Sequence, residues 1–248
     1  MKKIIKKILI TIGVLIVIII LFVLGYMFKA KSEINKMTPL ETQKITEQIY
    51  SIKDTFTNIY LIQSNDGYIV IDGGNSIDNI TTELSILNID AKKVIALFLT
   101  HSDGDHVASV PLFKNAEVYL SKQEEQLLTG ETSRFLFFGN KIECENYNLV
   151  EDNQVINISD LTIQCILTPG HTPGSTCYLI NNNYLFTGDA LSLIDGTVKD
   201  FNNLFNMDTK TQIQSIKKLS NLDSINFIFT AHHGMTNDFS FAFSDWKN

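Results

Sequence analysis

The chain has 248 residues, of which 44% are hydrophobic and 19% charged, enough for one sizeable globular domain. Residues 1–31 contain no acidic residue, so the rest of the chain has 14 basic and 27 acidic residues, a formal net charge of −13. Such an acidic surface repels phosphate backbones, and we therefore expect no nucleic-acid partner.

The first 31 residues predict an uncleaved membrane signal-anchor. Four lysines precede an uncharged apolar run over residues 8–28, which has the roughly 20 residues needed to cross a bilayer. A cleaved signal peptide is the alternative, but its apolar core is usually only about 7–15 residues long, and no convincing small-residue cleavage site follows here. Since only Lys29 and Lys31 closely follow the run, the positive-inside rule predicts a single-pass cell-membrane protein with a cytoplasmic N-terminus and an extracytoplasmic domain.

After the anchor we predict a polar linker over residues 32–48 and one mixed α/β domain over residues 49–248. Short β-type runs with turn signals come first and end at "YIVIDGG". An amphipathic helix follows, and then the almost wholly apolar strand "KKVIALFLT", whose composition indicates burial on both faces. The apolar positions of that helix are Ile77, Ile80, Leu84 and Leu87.

The second half of the domain predicts more strands and helices. "AEVYL" indicates a strand, and "SKQEEQLL" a short helix in which Ser121 and Glu124 have the spacing of a capping box. The strands "LTIQCILT", "STCYLI" and "NYLFTGD" precede a helix over "DTKTQIQSIKKLSNL" and a last strand, "NFIFTAHHG". The three cysteines lack zinc-ribbon spacing, and we expect them to be unpaired thiols.

Residues 130–150 fit no regular element. Their aromatic residues have two possible roles, because a run of large apolar side chains serves either the core or a lid over a site. We expect them to belong to the core, with an aromatic lid as the alternative. The residues concerned are Phe135, Phe137 and Phe138.

Four predicted strands end just before a residue that commonly binds metal ions. "LFLT" runs into His101, "CILTPG" into His171, "YLFTG" into Asp189 and "FIFTA" into His232. Aspartate and histidine are rarely placed at the mouth of apolar strands unless they are paired or bound to a metal. Taken alone, "HSDGDH" (residues 101–106) fits a solvated Asp-Gly turn as well as a ligand cluster. The four strand ends together favour a metal site.

In this order, the motifs resemble those of the metallo-β-lactamase fold superfamily over roughly residues 49–240. They are "IVIDGG", "THSDGDH" in place of the family's H-x-H-x-D-H, "TPGHTPGS", "FTGDAL" and "TAHHG". The resemblance implies an α/β fold, a four-layer αββα sandwich, and a centre for two divalent metal ions. It implies little about the substrate, because the superfamily includes thioesterases, lactonases, phosphodiesterases, nucleases, β-lactamases and oxygen-handling iron proteins.

Carried over residue by residue, the resemblance implies three separate ligands for each ion and one shared carboxylate. Asp189 would bridge the two ions, and Asp105 would also orient the nucleophile and pass a proton to the leaving group. We choose His232 over His233 as the last ligand, because "FTAH" stands where the family usually has a strand ending in "PGH". Metal 1 would be held by His101, Asp103 and His171, and metal 2 by Asp105, His106 and His232.

Asp103 departs from the family pattern, which has a histidine at this place. A carboxylate still binds zinc, but it makes the centre more oxygen-rich and more negative, which shifts preference towards manganese or iron. We therefore expect two divalent ions, zinc in the first place, with manganese or iron as the alternative.

These ligands predict a metal-dependent hydrolase in which a metal-bound hydroxide cleaves an ester, thioester, lactone or phosphodiester bond of a small molecule. No G-x-S-x-G motif and no cysteine with a local partner offers another nucleophile. A true β-lactamase is disfavoured, since "TGD" is typical of other branches of the superfamily. The alternatives are a di-iron redox protein of the same fold and a non-catalytic metal-binding module.

Overall fold

The computed structural model describes residues 2–247, and the chain divides after residue 37 into two compact units. The first unit contains one helix, α1 (Lys2–Ile34), which is exposed along its apolar run. Residues 3–34 are long and apolar enough to cross a membrane, with a mean hydropathy of 3.4 in the most apolar window. A signal sequence has the same features, so the helix is consistent with either an anchor or a signal.

The second unit contains two main sheets. In the first, the described residues form seven strands arranged in chain order, antiparallel as far as β4 and parallel from β4 to β7. They are β1 (Gln43–Lys44), β2 (Ile49–Asp54), β3 (Thr57–Gln63), β4 (Tyr68–Ile71), β5 (Val94–Phe98), β6 (Glu117–Ser121) and β7 (Asn148–Val150). Four of the five residues of β5 are buried, as its apolar composition predicts.

The second sheet has six strands within the described part of the chain, in the order β15-β14-β11-β10-β9-β8, and a separate hairpin joins β12 to β13. Its strands are mostly antiparallel, but β11 and β14 run parallel. The strands are β8 (Val155–Ile158), β9 (Leu161–Leu167), β10 (Thr176–Ile180), β11 (Tyr184–Phe186), β12 (Ser192–Ile194), β13 (Thr197–Lys199), β14 (Phe227–Phe229) and β15 (Met235–Thr236).

Three apolar layers show how the sheets and helices stack. The helices of this unit are α2 (Ile77–Ile86), α3 (Gly104–Val107), α4 (Glu125–Thr129), α5 (Thr209–Ser220) and α6 (Phe239–Ala242). Side chains of both sheets, such as Phe98, Tyr178 and Phe229, share the central layer. On the outer faces, α2 packs against the first sheet, and α5 and α6 pack against the second. The predicted αββα sandwich is confirmed.

The prediction that Phe135, Phe137 and Phe138 belong to the core is wrong. These side chains are 53%, 85% and 68% exposed. The backbone N–H of Phe138 donates to the carbonyl of Phe135 (2.9 Å), so the segment makes a tight turn that points its side chains away from the sandwich. The cysteines, by contrast, are unpaired as predicted, and burial raises the pKa of the Cys165 and Cys177 thiols to about 12.

Candidate metal centre

The four strand ends identified from the sequence meet at one edge of the sandwich. His101 follows β5, His171 follows β9, Asp189 follows β11 and His232 follows β14. All four side chains are at least 95% buried. The short helix α3 adds His106 beside them, because it begins directly after Asp103. The sandwich thus collects residues that are up to 131 positions apart in the sequence.

His101, Asp103 and His171 form one group, here called the Asp103 trio. The Oδ2 atom of Asp103 lies 3.1 Å from Nε2 of His171 and 3.7 Å from Nε2 of His101. The three potential ligand atoms all lie within 4.8 Å of one another. Such a spacing suits three ligands around one cation.

Asp105, His106 and His232 form the second group, here called the Asp105 trio. Oδ2 of Asp105 lies 3.4 Å from Nε2 of His232 and 3.7 Å from Nε2 of His106. His233 is not part of this group; its ring contacts Phe201 edge-on at 6.3 Å. Of the two adjacent histidines, His232 therefore has the position expected of a ligand.

Asp189 lies between the two trios and turns one oxygen towards each. Its Oδ2 is 3.4 Å from Nε2 of His171 in the Asp103 trio. Its Oδ1 is 3.2 Å from Nε2 of His232 and 3.5 Å from Nε2 of His106 in the Asp105 trio. This is the arrangement that a bridging carboxylate requires.

The histidine rings are oriented from outside the centre. Each Nδ1 atom has a partner: Asp72 Oδ2 for His106 (2.9 Å), Thr100 Oγ1 for His101 (3.1 Å), Asn206 Oδ1 for His171 (3.3 Å) and the Phe56 carbonyl for His232 (2.8 Å). Partners of this kind fix the ring so that Nε2 faces inward, as in metal sites.

Three inward-facing atoms lack a hydrogen-bond partner among the described residues. They are Nε2 of His101, Nε2 of His106 and Oδ1 of Asp189, and all are buried. A buried polar atom left without a partner costs about 1–3 kcal/mol, so such atoms are uncommon in proteins unless something else binds them. The donor set of imidazole nitrogens and carboxylate oxygens fits divalent metal ions.

Two carboxylates of the centre, Asp189 and Asp103, have lowered pKa values. Burial by itself raises the pKa of Asp189, but the neighbouring His232, His106 and His171 hold it well below its usual value. Burial likewise opposes ionisation of Asp103, but the neighbouring His101, His171 and Arg134 outweigh it, so that the pKa of Asp103 is also well below normal. Deprotonated carboxylates are the form that binds cations.

Two residues at the centre were not identified from the sequence. The Arg134 guanidinium donates to both oxygens of Asp103, and the Asn140 amide donates to Oδ1 of Asp103 (2.9 Å). Both lie in the irregular segment over residues 130–150, where no motif points to them. The available signal is that Arg134 is the only arginine in the chain.

Glu124 has a different role from the predicted capping box. The Ser121 hydroxyl does accept from the Glu124 N–H (3.2 Å), but the helix α4 begins only at Glu125. The buried Glu124 carboxylate instead accepts from Ser102 Oγ (2.7 Å), Thr172 Oγ1 (2.6 Å) and the Gly174 N–H (3.0 Å). It therefore joins the loop that carries His101 to the loop that carries His171.

Comparison with known proteins supports the same family. A family model described as the metallo-beta-lactamase superfamily matches residues 52–232. The probable polyketide biosynthesis zinc-dependent hydrolase PksB of Bacillus subtilis is 37% identical over 161 residues, which are 63% of this chain and 61% of that protein. The hydroxyacylglutathione hydrolase of Buchnera aphidicola is 29% identical over 203 residues, 81% of this chain and 70% of that protein. The chain thus spans less than two thirds of the length of PksB.

Solved structures share the fold. A subclass B3 metallo-beta-lactamase with an active-site glutamic acid has a TM-score of 0.67 at 18% identity, covering 84% of this chain and 86% of that one. MEM-A1, a subclass B3 metallo-beta-lactamase from a soil metagenome library, has a TM-score of 0.62 at 21% identity, covering 78% and 80%. The sandwich, the clustered strand ends and the family match over residues 52–232 lead to one conclusion: the chain belongs to the metallo-beta-lactamase superfamily.

Proposed function

We propose that the protein is a zinc-dependent hydrolase that cleaves an ester, thioester, lactone or phosphodiester bond in a small molecule. The observation that carries the proposal is the set of buried, inward-facing imidazole and carboxylate atoms that have no hydrogen-bond partner within the described part of the chain. The names of PksB and hydroxyacylglutathione hydrolase, both hydrolases, support it.

In this proposal the Asp103 trio holds one divalent ion, the Asp105 trio holds a second, and Asp189 is shared by both. When bound, the ions would lower the pKa of a water molecule and polarise the substrate oxygen on which negative charge develops. The remaining steps fall to the side chains of the chain itself.

Asp105 is the residue best placed to move a proton. Its side chain is 23% exposed, against 5% for Asp189, so it reaches both the centre and the solvent. Its Oδ2 faces His106 and His232, and no hydrogen-bond donor among the described residues reaches its Oδ1. This second oxygen would orient the attacking water, accept its proton and pass the proton to the leaving group.

Aromatic side chains form apolar walls beside the ligands. Phe56 stacks on His232, with ring centroids 5.8 Å apart and an interplanar angle of 17°. Phe201 meets the His171 ring edge-on at 5.2 Å. These walls keep water away from the imidazoles and hold the rings in place, which strengthens electrostatic interactions at the reacting bond.

Among these bond types we place thioesters first, and we place β-lactams behind all of them. The hydroxyacylglutathione hydrolase relative covers most of this chain, and a shared Asp189 after "TGD" is typical of such branches. The likeness to β-lactamase structures, at 18% and 21% identity, extends to the fold alone. The acidic domain also disfavours nucleic-acid phosphodiesters.

We further propose that α1 anchors the protein in the cell membrane with its N-terminus in the cytoplasm. The support is the apolar length of α1 and the lysines that precede it. A reporter fused after residue 248 should then be located outside the cytoplasm. A fused reporter located in the cytoplasm would contradict this topology.

The hydrolase proposal is tested with the full-length chain in detergent, loaded with zinc and assayed against a panel of thioesters, esters, lactones and phosphodiesters. His232→Ala and His233→Ala form a matched pair of adjacent substitutions. We expect His232→Ala to abolish hydrolysis and lower the zinc content, and His233→Ala to keep the zinc content. Absence of hydrolysis across the panel by zinc-loaded protein would contradict the proposal.

A further inference from the structure

Asp103 lies in an ion pair that is largely shielded from solvent. Nε of Arg134 donates to Oδ1 (2.8 Å) and Nη2 of Arg134 donates to Oδ2 (2.6 Å), so the guanidinium holds the carboxylate with two parallel hydrogen bonds. The side chain of Arg134 is 18% exposed and that of Asp103 is 17% exposed. Nη2 also donates to the Phe205 carbonyl (2.7 Å), which fixes the guanidinium from a second side.

The backbone of this segment is also held in place. The Arg134 N–H donates to the Phe138 carbonyl (2.8 Å), and the Asn140 N–H donates to the Leu127 carbonyl on α4 (3.0 Å). Arg134 and Asn140 therefore flank the exposed turn and reach Asp103 from an ordered frame.

The two oxygens of Asp103 face different neighbours. Each carboxylate oxygen has about two lone-pair positions. Oδ1 receives both Arg134 Nε and Asn140 Nδ2 (2.9 Å), so its positions are taken. Oδ2 receives Arg134 Nη2 (2.6 Å) and a longer, shared bond from Arg134 Nε (3.0 Å), and it faces Nε2 of His171 (3.1 Å) and Nε2 of His101 (3.7 Å). Of the two oxygens of Asp103, Oδ2 therefore faces the rest of the trio, and Oδ1 is held on the side of Asn140.

We propose that Arg134, supported by Asn140, is a positioning residue that limits Asp103 to single-oxygen metal binding and thereby sets the metal preference of the Asp103 trio. This inference rests on the proposed metal centre. The guanidinium charge also offsets the negative charge that Asp103 adds where the family pattern has a neutral histidine. The paired carboxylate thus acts as a compact, single-atom ligand, as an imidazole does.

The consequence concerns zinc and manganese. Zinc favours four ligands in a tetrahedral arrangement, whereas manganese favours six oxygen-rich ones. A carboxylate free to bind with both oxygens supplies an additional hard donor and suits the larger coordination number. Arg134 therefore counteracts the shift towards manganese or iron that Asp103 by itself would cause.

The test compares metal selectivity in a double-mutant cycle. The full-length protein, Arg134→Met, Asp103→His and the double variant are dialysed against mixtures of zinc and manganese, and the bound ions are counted by elemental analysis. We expect Arg134→Met to lower the zinc-to-manganese binding ratio by about tenfold, the size of effect known for partners of metal ligands. In the Asp103→His background the same substitution should leave the ratio unchanged, because no second oxygen exists to be released.

Three further variants keep the test decisive if Arg134→Met folds poorly. Arg134→Lys should have a zinc-to-manganese binding ratio between those of Arg134→Met and the unmodified chain. Asn140→Ala should lower the ratio by a smaller factor than Arg134→Met does. Lys141→Met, in the same segment, is the matched control; Lys141 pairs with Glu143 at the surface, and its loss should not move the ratio.

The outcomes separate this inference from the proposed function. Equal losses of zinc and manganese affinity in Arg134→Met would indicate a purely structural role and overturn the inference alone. A ratio that shifts equally in the Asp103→His background would also overturn it, since Arg134 would then not act through Asp103. A wild-type chain that binds neither metal would overturn the inference and the proposed function together.

Discussion

The two trios share a carboxylate and an edge of the sandwich, but they are supported in different ways. In the Asp105 trio, the buried Asp72 contacts His106 directly, at 2.9 Å. Next to the Asp103 trio, the buried Glu124 accepts instead from the Ser102 N–H and from the hydroxyls of Ser102 and Thr172, the residues that follow His101 and His171. One carboxylate orients a ligand ring, and the other holds two loops together.

The difference extends to the aspartates of the trios themselves. Asp103 has Arg134 and Asn140 as donors, whereas no such donor among the described residues reaches Asp105. A carboxylate held by donors is a fixed ligand, and one without them is available to move protons. These contacts support the proposed roles, structural metal binding for Asp103 and proton transfer for Asp105.

The largest expected effect comes from removing the residue that the trios share. Asp189→Ala should abolish hydrolysis and lower the content of both ions, because its two oxygens face both trios. Asp103→Ala should mainly weaken the binding of one ion, the one held by the Asp103 trio. Elemental analysis of the two variants after identical dialysis measures this. Equal metal loss in both would contradict the shared position of Asp189.

Asp72→Asn should weaken metal binding by the Asp105 trio by about 10–100-fold. The new amide keeps an oxygen for the Thr100 N–H but turns its NH2 towards Nδ1 of His106. Nδ1 must then accept a hydrogen bond, so the ring proton moves to Nε2, and Nε2 can no longer bind a metal ion. Zinc titration by calorimetry should show one weakened site of two. Asp78→Asn, in the first turn of α2, is the control. A zinc titration of Asp72→Asn identical to that of the unmodified chain would contradict the orienting role of Asp72.

Glu124→Gln should lower the stability of the fold more than it lowers the metal affinity. The NH2 group of the new amide must face either the Ser102 N–H or the Gly174 N–H, and both of these donors are fixed in the backbone. A buried donor left without an acceptor costs about 1–3 kcal/mol, so the Tm should fall by several degrees. Glu125→Gln is the neighbouring control, because its oxygen still accepts from Tyr147. A Tm loss as large in the control would show that Glu124 does not join the loops.

The smallest effect is expected for Asp103→His, which introduces the histidine of the family pattern. The metal pair should remain bound, and preference should move further towards zinc by roughly tenfold or less, since imidazole removes one negative charge and one hard donor. Competition between zinc and manganese measures the shift. A curve identical to that of the unmodified chain would mean that Asp103 is not a ligand.

The sequence predicted the sandwich and the strand ends that meet at its edge because these depend on local patterns. Apolar strands ending in His101, His171, Asp189 and His232 are visible in one dimension. Arg134 was not predictable, since its contact with Asp103 spans 31 residues and arises from an irregular segment. Glu124 showed a local capping pattern, but a tertiary hydrogen-bond network determines where its carboxylate points.

The metal content of the full-length protein decides whether the two trios form a two-ion centre. The chain, stripped with a chelator and dialysed against excess zinc and then against metal-free buffer, is analysed for bound zinc per polypeptide. We expect two zinc ions per chain, one for each trio with Asp189 shared between them. A stoichiometry of one would contradict the two-ion centre, and a stoichiometry of zero would contradict the metal site itself.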